Sequence, residues 1–307
     1  MADATAGDPI TGLKWTRKTL RKLSRELKRR GFRVSPPTVR RLLQAQDYTL
    51  RVNRKRLSKQ ANPHRDQQMR YIARQRRAFL RKGAPVISVD TKKKELVGPF
   101  RNAGRTWRQQ PLAVLATDFP GDADGKAIPY GIYDLHRNAG YLVVGTSHET
   151  APFAVAAIRT WWWPMGRHHY ATQPHLLIEA DGGGANSCRS WLWKTRLQAL
   201  ADEFQLTITV THLPPGASKW NPIEHRLFSA ITQNWAGQPL SSYETILQFI
   251  RTTTTARGLR CRACLDPRDY PTGLKVTAQE KAQVNLVPRQ LFPHWNYTIR
   301  PHKAGLK

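Results

Sequence analysis

The stretch Leu176-Leu-Ile-Glu-Ala-Asp181, an apolar run that stops on a carboxylate and opens into Gly182-Gly183-Gly184, decides the fold class once it is set beside Pro85-Val-Ile-Ser-Val-Asp90. Both read as short strands bounded by turn formers. Further β-rich runs at 112–118, 128–133 and 141–145 join residues 86–90 in an early antiparallel meander. Ala154, Ala157, Ile158, Trp161 and Trp162 recur at helical spacing and predict an amphipathic helix packed on a sheet. A helix from about Asn186 to Glu203 shows Trp193, Leu197, Leu200 and Phe204 on one face, a strand follows over Leu206 to His212, and another helix begins near Asn221. The order meander, helix, strand, helix, strand, helix predicts an α/β fold with a central mixed sheet flanked by helices.

Three acidic residues occupy informative places in that order. Asp90 and Asp181 end strands, and Glu224 falls in the first turn of the last helix. If the strands at 86–90 and 175–180 are neighbours, their carboxylates lie side by side and the helix can add the third. Converging carboxylates repel unless cations neutralise them. Hard oxygen ligands on a rigid frame suit Mg²⁺, and a pair of such ions about 3.5–4 Å apart drives in-line phosphodiester displacement. Each acid also has a plainer reading. Asp90 can be a turn residue before Thr91-Lys92, and Asp181 can open a flexible glycine turn. Glu224 can be the N3 partner of a capping box, with Asn221 as N-cap and Pro222 at N1. Their joint placement is what favours a site.

The 307 residues suffice for roughly two domains, and 50 Lys and Arg against 21 Asp and Glu give a net charge of +29. That charge implies a polyanionic partner, while 40% hydrophobic residues exclude a disordered basic tail. Arg159 interrupts the best apolar run, Ala151 to Met165, before it approaches the ~18 residues of a membrane span. Met1 to Ile10 contains Asp3 and Asp8 and reads as no signal peptide. Three cysteines suit a reducing compartment. A cytoplasmic protein that meets nucleic acid, with no membrane partner, is the expectation. Residues 1–85 hold 24 Lys and Arg against 5 Asp and Glu, so the basic footprint is mainly N-terminal. There, Thr16 is expected to cap a helix to Arg30 with Leu20, Leu23 and Leu27 as its stripe. Gly31 ends it, and Ser35-Pro36 starts a second helix with Val39, Leu42 and Leu43 inward. This is a helix-turn-helix pattern in which Arg40 and Arg41 reach a groove and Lys55 and Arg56 meet phosphates. A basic helix from Asp66 to Lys82 reads as a connector.

Ile87-Ser-Val-Asp90-Thr-Lys-Lys-Lys-Glu95, Glu179-Ala-Asp181-Gly-Gly-Gly-Ala-Asn186-Ser187, Pro214-Pro-Gly-Ala-Ser-Lys-Trp220-Asn-Pro-Ile-Glu224-His225-Arg226-Leu-Phe228, Gly145-Thr-Ser-His-Glu-Thr150 and Trp295-Asn-Tyr-Thr-Ile-Arg300-Pro together resemble the Rhodopirellula-type DDE transposases of bacterial insertion sequences. The resemblance covers nearly the whole chain. It implies a ribonuclease H-like catalytic domain in which Asp90, Asp181 and Glu224 bind two Mg²⁺ ions, with Mn²⁺ able to substitute, and cut and rejoin DNA. It further implies double-stranded DNA partners, at element ends and target, a homo-oligomer on DNA, and a place at the bacterial nucleoid. The family's members tend to be longer at the N-terminus, so part of the end-recognition region is expected to be missing here. Lys92, Lys93, Lys94, Lys219 and Arg226 are candidate phosphate contacts, with His225 supporting the site.

The expected division is a helix-turn-helix DNA-binding region at 1–60, the connector at 61–84, the catalytic domain at 85–240 and a C-terminal helical or extended segment at 241–307. Cys261-Arg-Ala-Cys264 has metal-ligand spacing, but Cys188 is distant and only His294 and His302 could complete a zinc set on paper. Of Trp161, Trp162 and Trp163, at most two can share a core stripe, which leaves Trp163 for a DNA or dimer contact. Two other readings compete with the transposase: a shortened, inactive relative that occupies element ends as a repressor, and a nuclease that cuts without joining.

Overall fold

The computed structural model describes residues 5–7, 14–16, 18–51 and 62–302. The chain divides into two compact units, Met1–Lys59 and Gln60–Lys307. In the first, strands β1 (Thr5–Gly7) and β2 (Lys14–Thr16) pair antiparallel. Helices α1 (Leu20–Arg29) and α2 (Pro36–Ala45) follow. Because Thr16 is taken into β2, Thr19 rather than Thr16 caps α1, accepting from the Lys22 amide. Gly31 supplies the positive φ (89°) that ends α1, and Ser35 caps α2 with Pro36 at N1, as expected. The seam between two such short helices is narrow. Leu23 and Val39 fill it, while Leu42, expected inward, is 48% exposed.

The second unit opens with α3 (Arg65–Arg81), stopped by Gly83 at φ 67°. Its elements then run β3 (Val86–Thr91), β4 (Glu95–Val97), β5 (Gly125–Asp134), β6 (Ala139–Gly145) and α4 (Ala151–Trp161). A π-helical turn, Trp162–Gly166, leads into α5 (Arg167–His169), followed by β7 (His175–Ala180), α6 (Trp191–Phe204) and β8 (Thr207–His212). A second π-helical turn, Glu224–Phe228, continues as α7 (Ser229–Asn234). Last come α8 (Tyr243–Arg251), β9 (Arg260–Asp266), α9 (Ala278–Ala282), β10 (Leu286–Pro288) and β11 (Asn296–Ile299).

The strands form one mixed sheet in the order β10-β11-β8-β7-β3-β5-β6-β9, with β4 paired to β5. At its centre β3, β5 and β6 are an antiparallel meander, and β7 and β8 run parallel to β3. That five-strand order, with α4 crossing from β6 to β7 and α6 from β7 to β8, is the ribonuclease H-like arrangement. Residues 112–118, expected as a strand, are an irregular exposed segment instead. The flanks of the meander are filled by β4 beside β5 and β9 beside β6, and Leu115 makes a single backbone bond to Pro99 O. The segment after residue 240 supplies strands at both edges of the same sheet.

Strand alternation divides the core. Ile87, Val89, Ile178 and Ala180 face α4 and α6, where Trp161, Trp193 and Leu197 are buried. The other face is covered by the helix from Pro222 and by α8 over its apolar half, through Leu142, Leu227 and Ile246. Helix α3 covers the polar half: Gln68 donates to His212 O and exchanges hydrogen bonds with Asn296, and Arg76 grips Glu179 with both arms (2.8 and 2.6 Å). Among the described residues no helix is long and apolar enough to cross a membrane.

Candidate active site

The parallel register pairs Val89 of β3 with Ala180 of β7, so the next residues, Asp90, still paired to Gly131 of β5, and Asp181, just past β7, stand as neighbours at one end and on one face of the sheet. The helix bearing Glu224 approaches that face because two glycines let it. A Cβ on Gly131 of β5 would lie 2.5 Å from the Phe228 ring and 2.9 Å from Ile223, and one on Gly140 of β6 would overlap Leu227. The helix start is fixed by the strand beneath it. Ser88, two residues before Asp90, donates to Asn221 Oδ1 and accepts from the Ile223 amide at 3.2 Å. Asn221 Nδ2 in turn donates to Asp90 Oδ2 at 3.2 Å. The capping box considered for Glu224 is therefore replaced: Ser88 provides the cap, and Asn221 orients Asp90.

Burial, followed by the charge of Asp181, pushes the Asp90 carboxyl up to about 8, with Glu224 adding to the effect. Asp181 is raised by burial and by Glu149 and Glu224, against hydrogen bonds from Asn186 and the Gly183 amide. Glu224 is raised by burial and eased by Lys92 and His225. Among the described residues, neither Asp90 nor Asp181 has an ion-pair partner. No three His, Cys, Asp or Glu side chains among the described residues are gathered closely enough to enclose an ion.

The candidate phosphate contacts separate. Lys93 is 83% exposed, and Lys219 and Arg226 are also at the surface. Lys94 pairs with Glu149 at 2.8 Å. Lys92 is buried, with its ammonium 4.3 Å from the Trp235 ring centre and 3.5 Å from Glu95. Burial lowers its pKa against the pull of Glu95. Lys92 is thus an internal counter-charge near Glu224 and not the surface contact expected. His225 Nε2 bonds the carbonyl of Lys219. Arg40 and Arg41 are exposed on α2, while Lys55 and Arg56 lie outside the described residues.

Three supports escaped the sequence reading. Glu149, just before α4, is a fourth carboxylate that acts on Asp181, and a Cβ on Gly184 would meet it at 3.0 Å. Asn186, fully buried, accepts from Tyr130 at 2.6 Å while holding Asp181. His212 is kept neutral by burial, its pKa pushed down to about 4. Its Nδ1 donates to the Asp181 carbonyl (2.8 Å) and its Nε2 accepts from Tyr297, whose hydroxyl accepts from Trp193. The run of aromatic residues in α6 and β11 was the available signal, but only the fold aligns it on Asp181.

Cys261 and Cys264 stand three apart on β9, so alternation turns them to opposite faces. Cys261 packs beside α8 and Cys264 bonds Tyr141 on the other side. His302 is engaged by Asp202, and His294 lies against Trp295. These residues do not converge on one ion.

Residues 1–301 match the family described as Rhodopirellula transposase DDE domain. No curated protein matches the chain. Among solved structures it is similar to the Mos1 transposase paired-end complex with left transposon end, at 18% identity and a TM-score of 0.44, covering 76% of this chain and 65% of that one. It is also similar to the mariner Mos1 paired end complex with Mg, at 17% identity and a TM-score of 0.47, covering 76% and 65%. The chain spans 65% of the length of those Mos1 chains.

Proposed function

We propose that this chain, which belongs to the Rhodopirellula transposase DDE family, cuts DNA at the ends of a mobile element and joins the freed ends to a target, with Asp90, Asp181 and Glu224 as its catalytic carboxylates. The observation that carries this reading is the electrostatic meeting of the three. Burial and like charge hold Asp90 at about 8, a state that a bound cation relieves. The donor set fits divalent ions, being all hard oxygen and unpaired at Asp90 and Asp181 among the described residues. Two Mg²⁺ ions, or Mn²⁺ in their place, would be held by Asp90, Asp181 and Glu224, and would supply activation of a water or 3′-hydroxyl and charge relief at the leaving oxygen.

The protein's own contribution is orientation and charge. Asn221 and the Thr91 amide fix the two oxygens of Asp90, at 3.2 and 2.8 Å. Asn186 and His212 hold Asp181 from its side chain and its carbonyl. Lys92 favours the ionised form of Glu224 from within, against the burial that raises its pKa. Exposed Lys93, Lys219 and Arg226 draw the DNA backbone toward this sheet end, and Arg40 and Arg41 of the first unit bind the element end. On this reading the chain works as a homo-oligomer on DNA in the bacterial cytoplasm.

Incubating a labelled element end with the chain and Mg²⁺ tests the reading. Wild type is expected to nick the end and give covalent strand-transfer products, and Asp90→Asn to bind without cutting. Tight binding with no wild-type cleavage would establish the repressor instead, and cleavage without joined products the nuclease.

A further inference from the structure

The second unit carries a feature at the other end of its sheet that the catalytic reading does not use. The π-helical turn Trp162–Gly166 widens the chain just after α4. Single wide turns of this kind recur at functional sites. Here the turn sorts three consecutive tryptophans: Trp161 and Trp162 are buried, and Trp163 is left 50% exposed. Gly166 permits the arrangement, since a Cβ there would overlap the Trp162 ring. Trp163 leans on Phe204 with ring centres 5.9 Å apart, and the Arg167 guanidinium lies 3.7 Å over its ring.

These side chains border an open cavity of about 1050 Å³ that also touches Tyr170, Pro174 and Gln205. Its lining residues precede β7 and β8, whereas Asp181 follows β7, and a six-residue strand is about 20 Å long. The cavity is therefore a separate place. Its surroundings are cationic. Arg167, His168 and His169 are exposed, and the charges of Arg137 and Arg262 reach His169. The nearby acids are committed elsewhere: Asp134 is buried and takes the Tyr170 hydroxyl on both oxygens, and Glu203 is held by Arg159. Among the described residues Arg167 has no ion-pair partner, so its donors are free while the ring beneath fixes its plane.

We infer that this surface is a second nucleic-acid site, in which Arg137, Arg167 and Arg262 take phosphates of a DNA strand and Trp163 packs on one of its unstacked bases. Aromatic stacking beside a cationic track is how strands are held without sequence preference. A second copy of this chain suits the patch less well. Each copy carries +29, and a single half-exposed tryptophan offers little apolar area to offset that repulsion. The inference rests on the reading of the chain as one that acts on DNA, and it adds a place for a strand remote from the carboxylates.

Ultraviolet cross-linking of the full chain to a single-stranded oligodeoxynucleotide carrying 5-iododeoxyuridine, with tryptic peptides identified by mass spectrometry, tests it. An adduct is expected on the peptide 160–167. Trp163→Ala should abolish that adduct, and Arg167→Glu should reduce the Trp163 adduct, read in that variant on the tryptic peptide 160–189, at least fivefold, with the thermal transition of each variant unchanged. Adducts confined to other peptides would overturn the inference. So would a DNA-independent dimer, seen by light scattering, that Trp163→Ala dissolves. End cleavage measured in parallel separates the two readings. Cleavage without the 160–167 adduct sinks this surface alone, and the adduct without cleavage upholds the surface while sinking the catalytic assignment.

Discussion

Replacing Asp90 by asparagine should make the protein more stable while ending its chemistry, and the size of the gain follows from the site. In the fold the Asp90 carboxyl holds its proton to about 8, against 3.8 for the ordinary group. The unfolded chain therefore releases a proton that the fold retains. Stability falls by about 1.4 kcal/mol per pH unit as pH rises from near 4 to near 8, and levels off above, where both states are ionised. At pH 7 the accumulated burden is roughly 4 kcal/mol. Asparagine removes the charge, but at one of its two positions it turns an NH₂ toward Asn221, where the carboxylate accepted at 3.2 Å. Losing that bond costs about 1 kcal/mol, so a net gain of roughly 2–3 kcal/mol is expected. At about 2–4 °C per kcal/mol for a unit of this size, the melting transition should rise by roughly 5–10 °C in EDTA at pH 7. Millimolar Mg²⁺ should narrow the gap by stabilising wild type alone. Scanning calorimetry of both proteins from pH 5 to 9, with and without Mg²⁺, measures each of these quantities. A variant that melts at or below wild type in EDTA at pH 8, or equal pH slopes for the two proteins, would refute the electrostatic argument.

Two further substitutions probe how the site is built. Gly131→Ala places a Cβ 2.5 Å from Phe228, so the helix carrying Glu224 must lift away from the sheet. A loss of about 1–3 kcal/mol in denaturant unfolding is expected, with end cleavage reduced at least tenfold and end binding kept; unchanged cleavage would show that the close approach is not needed. Arg76→Ala strands the Glu179 carboxylate, which is 1% exposed, beneath α3. It should cost about 3–5 kcal/mol, and pairing Arg76→Met with Glu179→Leu should recover most of it; a double variant as unstable as the single one would count against the pair's being the cause.

What could be read from residues alone was whatever depends on near neighbours. The strand expected from His175 ends at Ala180 as expected, because its apolar run and glycine stop are both local. Ser35-Pro36 caps α2 for the same reason. Thr16 misled because an equally local cap signal lost to pairing with Thr5, and residues 112–118 because a β-rich run needs an open sheet edge, which β4 and β9 had taken. Lys92 looked like its neighbours Lys93 and Lys94 and went inside instead, since what receives it is Trp235, remote in sequence. Glu149 bears on Asp181 from a loop that only the crossover into α4 brings near.

The same dependence explains how so basic a chain leaves Asp90 and Asp181 without an ion-pair partner among the described residues. Several of its acids are paired with cations by the fold: Glu179 with Arg76, Glu203 with Arg159, Asp266 with Arg268. Glu224 has Lys92 near it, but among the described residues the side chains of Asp90 and Asp181 receive amides: Asn221 and the Thr91 N–H for one, Asn186 and the Gly183 N–H for the other. Neutral donors hold a carboxylate in place without cancelling its charge, whereas an arginine would do both. A site that used cationic side chains to order Asp90 and Asp181 would already have satisfied them. Ordering by amides leaves both carboxyl groups aligned and without a bound cation, and the proton that burial and like charge hold on Asp90 is what a divalent ion arriving with the phosphodiester would displace.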